Sequence, residues 1–253
     1  MHHMNQMSLS SPENRHHISC RDCALHPICD PTPVGSITLD IAESLVFKKQ
    51  PIKAGQVIYH EGQPFEDLYA FTVGSAKEVW HSNQAQQQII SFKFKGELAG
   101  QNAIAHGVYP YTLIALEDCS VCTIRYQDLL SSANSLPLLL TKIIKLLSND
   151  SHHESEIRKS LSTTSNAEVK VKSFLHNLST RYKARNENYI DIKLSMSRSD
   201  IANYLGITKE TLSRSLTSLQ NKNLIEISGK YVHISKVDLL SDIKTNPDSH
   251  PNQ

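Results

Sequence analysis

The 253-residue sequence contains no run approaching the ~18 apolar residues of a membrane span, so no helical membrane anchor is expected. No apolar stretch follows a basic start: Met1 to His17 is polar and rich in Ser, Asn and His, so no secretory signal is read and a cytoplasmic protein is expected. No His-x-His motif in the central region is followed by a later Glu and His, which argues against a β-roll metalloenzyme despite 13 histidines. A large charge of one sign is missing as well. The net charge of +1 by itself favours no polyanionic partner.

What the chain has is an uneven charge. From Thr164 to Ser235 it carries 11 Lys/Arg against 6 Asp/Glu, a net of +5, whereas the remainder carries 15 against 19, a net of −4. A basic C-terminal part beside a mildly acidic N-terminal part points to a polyanion met by the former alone; an ordinary solvated surface is the alternative. Five cysteines, Cys20, Cys23, Cys29, Cys119 and Cys122, are clustered, and in a reducing compartment such clusters indicate metal or redox chemistry rather than disulfides.

Changes in hydrophobic period divide the chain. Residues 1–19 read as a tail, and Cys20 to Pro33 as an irregular loop with Pro27, Pro31 and Pro33. Ile37, Ile41 and Leu45 suit a short amphipathic helix over Ser36 to Phe47. Between Lys48 and Arg125, short β-branched or aromatic runs (Val57 to Tyr59, Leu68 to Phe71, Ile89-Ile90, Ser120 to Ile124) alternate with glycines, which predicts an all-β roll or sandwich. The cysteine loop and this β region together make a sensory domain over 20–134.

A helical period then returns over 135–163, with Leu136, Leu140, Ile143, Leu147, Asp150, Glu154, Ile157 and Leu161 at alternating steps of four and three. That is a heptad seam of roughly four turns of the repeat, long enough to pair with its own copy; the alternative is a stripe that covers the β domain. In a parallel pair Asp150 and Glu154 would approach their twins, so the expected homodimer is weak, with these two acids as its gate. Residues 164–240 form a last domain, starting with an amphipathic helix over Ala167 to Arg185, and 241–253 read as a second tail.

The most informative stretch is Ser197 to Leu219. Ser197 and Asp200 have the spacing of a capping box, predicting a helix over Arg198 to Leu205 that Gly206 ends. Thr208 then caps a second helix from Lys209 to about Asn221. Two short helices about such a turn are a helix-turn-helix, whose second helix presents its first residues to base edges. Here these are Lys209, Glu210, Ser213 and Arg214. Arg suits the O6/N7 edge of guanine and Glu the cytosine amino group, which makes double-stranded DNA the expected partner. Glu210 and Arg214, four apart, are also spaced for an intrahelical ion pair. Leu224 to Ile227 and Tyr231 to Ile234, joined through Gly229, complete a β wing.

An α+β chain with a β-roll (cupin-like, of the cyclic-nucleotide-binding type), a long dimerisation helix and a C-terminal winged helix-turn-helix resembles the CRP/FNR family of transcription regulators. The stretch from Met196 to Arg214 (Met-Ser-Arg-Ser-Asp-Ile-Ala-Asn-Tyr-Leu-Gly-Ile-Thr-Lys-Glu-Thr-Leu-Ser-Arg) carries the likeness. Glu210, Ser213 and Arg214 match the DNA-reading set of the FNR branch, which implies a two-fold site with TTGAT-like half-sites; Lys209 departs from that branch, where an apolar residue is expected. The cassette Gly96-Glu97-Leu98 of the cyclic-nucleotide branch is present, but no arginine stands near Tyr109 to Thr112 to clamp a phosphate, which disfavours cyclic AMP.

The FNR branch also carries Cys-x2-Cys-x5-Cys near its N-terminus and a fourth cysteine in the β-roll. Cys20, Cys23, Cys29 and Cys122 match it residue by residue, and Glu117 agrees too. The resemblance therefore implies a [4Fe–4S] cluster on these four thiolates, oxygen sensing, a homodimer when the cluster is intact, RNA polymerase as a further partner, activation or repression of genes, and no enzymatic activity. Taken without the fold, Cys-x2-Cys-x5-Cys is a moderately specific spacing for which zinc is a fair rival. Cyclic nucleotide, haem or nitric oxide are the alternative inputs. Cys119 is expected to be an ordinary buried thiol.

Overall fold

The computed structural model describes residues 46–82, 86–131, 137–163, 165–185, 187–237 and 240. Both expected tails, the loop bearing Cys20, Cys23 and Cys29, and residues 36–45 of the expected short helix lie outside that set. Of that helix's span, Val46 and Phe47 are described, and they are strand: β1 (Val46–Ile52) runs antiparallel to β8 (Cys119–Arg125) from the pair Val46↔Ile124 onward. Val46 pairs with Ile124 and the register shifts past Phe47 to the pair Lys48↔Thr123, a pairing that the spacing of apolar residues does not reveal.

Between these strands lie β2 (Val57–Tyr59), β3 (Asp67–Val73), β4 (Ser75–His81), β5 (Gln87–Phe94), β6 (Leu98–Ala99) and β7 (Thr112–Ala115). They complete two four-stranded antiparallel sheets, ordered β1-β8-β3-β6 and β2-β7-β4-β5. Ile52, Phe71 and Val121 of the first sheet meet Tyr59, Ala76 and Leu113 of the second in one buried cluster, so the core of the roll lies between the sheets. Tyr59 and Tyr109 stack there at 4.0 Å between ring centroids. Gly74 turns the chain from one sheet to the other at φ +84, where a Cβ would lie 2.7 Å from Cys119 Sγ, so only glycine fits.

After β8 come α1 (Tyr126–Ser131), α2 (Pro137–Thr163) and α3 (Ala167–Ala184). The 27 residues of α2 span about 40 Å at 1.5 Å per residue. On α3, Val171, Phe174, Leu175 and Leu178 are buried on one face, as their spacing predicts. The last domain adds β9 (Asp191–Lys193), α4 (Arg198–Leu205), α5 (Lys209–Asn221), β10 (Ile225–Ser228) and β11 (Tyr231–Ile234), with a sheet ordered β10-β11-β9. The hairpin β10–β11 is the expected wing. The three residues of β9 are too few to show a period of two in the sequence, and only the pairing of Val232 with Ile192 defines them.

The two domains share a core. Phe92 and Phe94 of β5 cluster with Phe174, Leu175 and Leu178 of α3 and with Ile201 and Leu205 of α4. β5 is an edge strand, and α4 closes that edge. The Asn203 side-chain amide donates to the Gln87 carbonyl at 2.8 Å and accepts the Ile89 N–H at 2.7 Å, standing in for a neighbouring strand. Lys77 of β4 reaches Asp200 at 2.6 Å beside it.

Candidate DNA interface and cluster site

The reading helix is set by local chemistry. Ser197 accepts the Asp200 N–H through its hydroxyl while the Asp200 carboxylate accepts the Ser197 N–H, which is the predicted capping box. Gly206 ends α4 at φ +63, a left-handed conformation that costs glycine little. Thr208 caps α5 by accepting the Thr211 N–H at 3.1 Å. Leu212, Leu216 and Leu219 bury one face of α5, which fixes the opposite face outward.

Lys209, Glu210, Ser213 and Arg214 are all exposed on that outward face, on the first two turns of α5. The structure therefore brings the four sequence-predicted residues together at a helix N-terminus, where a cationic surface and aligned backbone dipoles suit a phosphodiester backbone. The expected Glu210–Arg214 ion pair is not formed: no salt bridge joins them among the described residues. The Glu210 carboxyl is held below the usual range chiefly by its own backbone N–H and the Thr208 hydroxyl, with Arg214 contributing least.

Cys122 lies in β8 between Lys49 of β1 and Ala70 of β3, and is half-buried. It packs with Leu68, Ala70, Ile124 and Leu129, and Leu147 of α2 joins the same cluster. A thiol on this face can thus be felt by the long helix. Cys119 faces the other way, into the core between the sheets, where its Sγ donates to the Ser75 carbonyl at 3.2 Å. Among the described residues no three His, Cys, Asp or Glu side chains converge as a metal site. A half-buried thiol beside an apolar, water-poor cluster fits the soft thiolate donor set of an iron–sulfur centre.

The seam is described in part. Leu136 and the side chains of Leu140, Ile143 and Asp150 lie outside the described residues. Leu147 packs on the β-roll, while Ile157 and Leu161 join the core shared with α3, so these three cover their own chain as the alternative reading had it. Among the described side chains of α2, Ile144 is a large apolar one left outward, 63% exposed. Glu154 is partly exposed and lies 3.4 Å from Lys93 Nζ.

The cassette carboxylate is occupied. Glu97 is buried and accepts from Arg181 Nε at 2.9 Å and from Arg185 at 2.7 Å, both on or next to α3. Burial alone would push its carboxyl up, but the two guanidinium groups and Lys93 outweigh that and hold it below the ordinary range. Tyr109 stacks on Tyr59 in the core of the roll, and the stretch Tyr109 to Thr112 contains no arginine. Glu117 instead accepts from Ser75 and Lys193, at 2.9 and 2.8 Å. Sequence reasoning missed Lys77, Lys93, Arg181, Arg185 and Asn203 because their partners are 61 to 123 positions away, beyond any local period.

Comparison with known proteins agrees with this architecture. Residues 49–135 match the cyclic nucleotide-binding domain family and residues 169–243 the Crp-like helix-turn-helix domain family. The chain is 36% identical over 217 residues to the fumarate and nitrate reduction regulatory protein of Vibrio cholerae, covering 86% of each. It is 33% identical over 226 residues to the protein of the same name in Escherichia coli K12, covering 89% of this chain and 90% of that one. The anaerobic regulatory protein of Pasteurella multocida is 36% identical over 233 residues, with 90% and 85% covered. Among solved structures, FixK2 from Bradyrhizobium japonicum superposes with a TM-score of 0.66 at 24% identity, covering 76% of this chain and 94% of that one, which shows the fold.

Proposed function

This chain belongs to the CRP/FNR family of DNA-binding transcription regulators, and from that premise we propose that it is an oxygen-responsive regulator of the FNR type. It acts in the cytoplasm as a homodimer on a two-fold TTGAT-like site while a [4Fe–4S] cluster is intact, and activates or represses through RNA polymerase. The observation that carries the reading is Cys122, half-buried against the same apolar cluster on which Leu147 of α2 packs. The relatives named for anaerobic regulation support it.

Cys20, Cys23, Cys29 and Cys122 would hold the cluster, which when bound supplies a centre that oxygen converts or destroys. The chain's own residues do the rest. Bringing the N-terminal cysteines to Cys122 lays that segment beside Leu147 and so bears on the start of α2. Helix α2 then pairs with its copy, near Asp150 and Glu154, and sets two α5 helices about one DNA turn apart. Arg214 and Glu210 read base edges, and Ser213 and Lys209 hold base or backbone. Two states a few kcal/mol apart suffice for such a switch, so small packing changes beside Cys122 are enough.

The test is chemical. Protein prepared without oxygen is expected to be brown, with about four iron and four sulfide per chain, and to bleach in air. Zinc in their place, or a colourless iron-poor protein, rejects the oxygen-sensing reading while leaving the DNA-reading helix untouched.

A further inference from the structure

Lys93 is 2% exposed, which is unusual for a lysine. An ammonium taken out of water is costly unless an anion accompanies it. Here Glu154 does so from α2, its Oε1 3.4 Å from Lys93 Nζ, and the Glu154 side chain keeps 30% of its surface exposed. Lys93 belongs to β5 and Glu154 to the seam helix, so this pair joins the sensory sheet to the seam. Lys93 also acts electrostatically on Glu97, whose carboxylate is gripped by Arg181 and Arg185 of the last domain. A row of alternating charge thus runs Glu154, Lys93, Glu97, Arg181, from α2 through β5 to α3. The cavity between these elements, lined by Ser91, Lys93, Glu154, Asn177, Arg181 and Tyr204, holds about 10 Å³, room for a single water, so it is a coupling point and not a ligand pocket.

We propose that Lys93 is the counter-ion of the seam carboxylate: it neutralises Glu154 from within the same chain and so sets how strongly two α2 helices repel. The inference rests on α2 being the dimer seam. Like charges meeting at a seam oppose pairing, but a glutamate with an ammonium beside it brings little net charge. The same row ties α3, and with it the reading domain, to the position of α2. Removing Glu154 alone then does not relieve a repulsion; it takes away the negative half of a near-neutral pair. Removing Lys93 alone uncovers the repulsion.

The experiment is a double-mutant cycle on the full-length chain, with dimer dissociation constants from sedimentation equilibrium, in air and with the cluster loaded. Lys93→Met is expected to weaken the dimer roughly tenfold, Glu154→Gln to leave it unchanged or weaken it, and the double variant to return toward the parent, a coupling of at least about fivefold. Lys93→Arg keeps the charge and should stay near the parent. If Lys93→Met fails to fold, the exchanged pair Lys93→Glu with Glu154→Lys carries the test, and is expected to restore dimerisation that either change alone removes. Amide hydrogen exchange of α2 in the dilute monomer is read in parallel. A Glu154→Gln chain that dimerises tenfold more tightly, additively with Lys93→Met, overturns the proposal. Coupling in α2 exchange with no dimer at any concentration overturns the seam reading instead.

Discussion

Cys119 and Cys122 stand three residues apart on β8 and therefore face opposite sides of its sheet, Cys119 into the core between the sheets and Cys122 toward the apolar cluster of Leu68, Ala70 and Ile124 on which Leu147 of α2 also packs. An odd separation on a strand leaves no rotamer by which one thiol takes the other's place; only a one-residue slip of β8 against β1 and β3 would do so, and that would turn every core residue of the strand outward.

Their chemistry should differ accordingly. Burial pushes the Cys119 thiol up to about 11, and its hydrogen bond to Ser75 only partly opposes this. A raised folded value means that keeping the thiol neutral stabilises the fold below the ordinary thiol range, a contribution lost as pH climbs through 11. Iodoacetamide at pH 8 is expected to leave Cys119 unmodified in the folded chain and to label it on unfolding, as peptide mass analysis would read. Cys122→Ser should abolish iron and sulfide incorporation and Cys119→Ser should preserve it; the reverse result makes Cys119 the fourth ligand.

Asp200 links helix capping to domain docking, and the link is sensitive to acid. Burial would raise its carboxyl, but hydrogen bonds from Lys77 and Ser197 prevail and hold it below the ordinary carboxylate range. Its contribution is therefore complete above the unfolded value of about 3.9 and vanishes as pH falls through the lower folded one. Asp200→Asn should cost roughly 1–2 kcal/mol at neutral pH, by the usual worth of a cap. In thermal unfolding scans the gap between parent and variant should stay constant down to about pH 4.5 and close below it. A gap that persists unchanged at pH 3 would remove the carboxylate from the account.

Arg214 is exposed and forms no salt bridge with Glu210, so it is available to a base edge. Arg214→Ala should cost about 1–3 kcal/mol on a TTGAT-type site and relax the preference at one position. Lys209→Ala should weaken all sequences alike and flatten the salt dependence. Fluorescence anisotropy at several salt concentrations separates the two; equal losses on specific and random duplexes for Arg214→Ala would make it a backbone contact.

Cyclic AMP should not bind. The carboxylate of Glu97, in the Gly-Glu-Leu cassette, already accepts from Arg181 and Arg185, and breaking a buried ion cluster costs several kcal/mol before any ligand contact is made. Calorimetric titration is expected to show no heat above dilution. Micromolar affinity would show that the arginines let go. Glu97→Gln should destabilise the chain by about 3 kcal/mol, since it leaves two part-buried guanidinium groups short of an anion.

The sequence by itself determined the elements whose causes are local. The caps Ser197 and Thr208, the left-handed Gly206 and the leucine stripe of α5 act within a few residues of one another, so both helices of the reading motif and their outward residues could be placed from spacing alone. Only the tertiary structure decided what depends on distant partners. β1 exists because β8 pairs with it, and β9 because β11 does; the stripe on α2 turns Leu147, Ile157 and Leu161 onto its own chain. The lysine beside Glu154 and the arginines on Glu97 follow the same rule, because a buried charge takes its partner from whichever segment the fold delivers, and chain separation carries no trace of that choice.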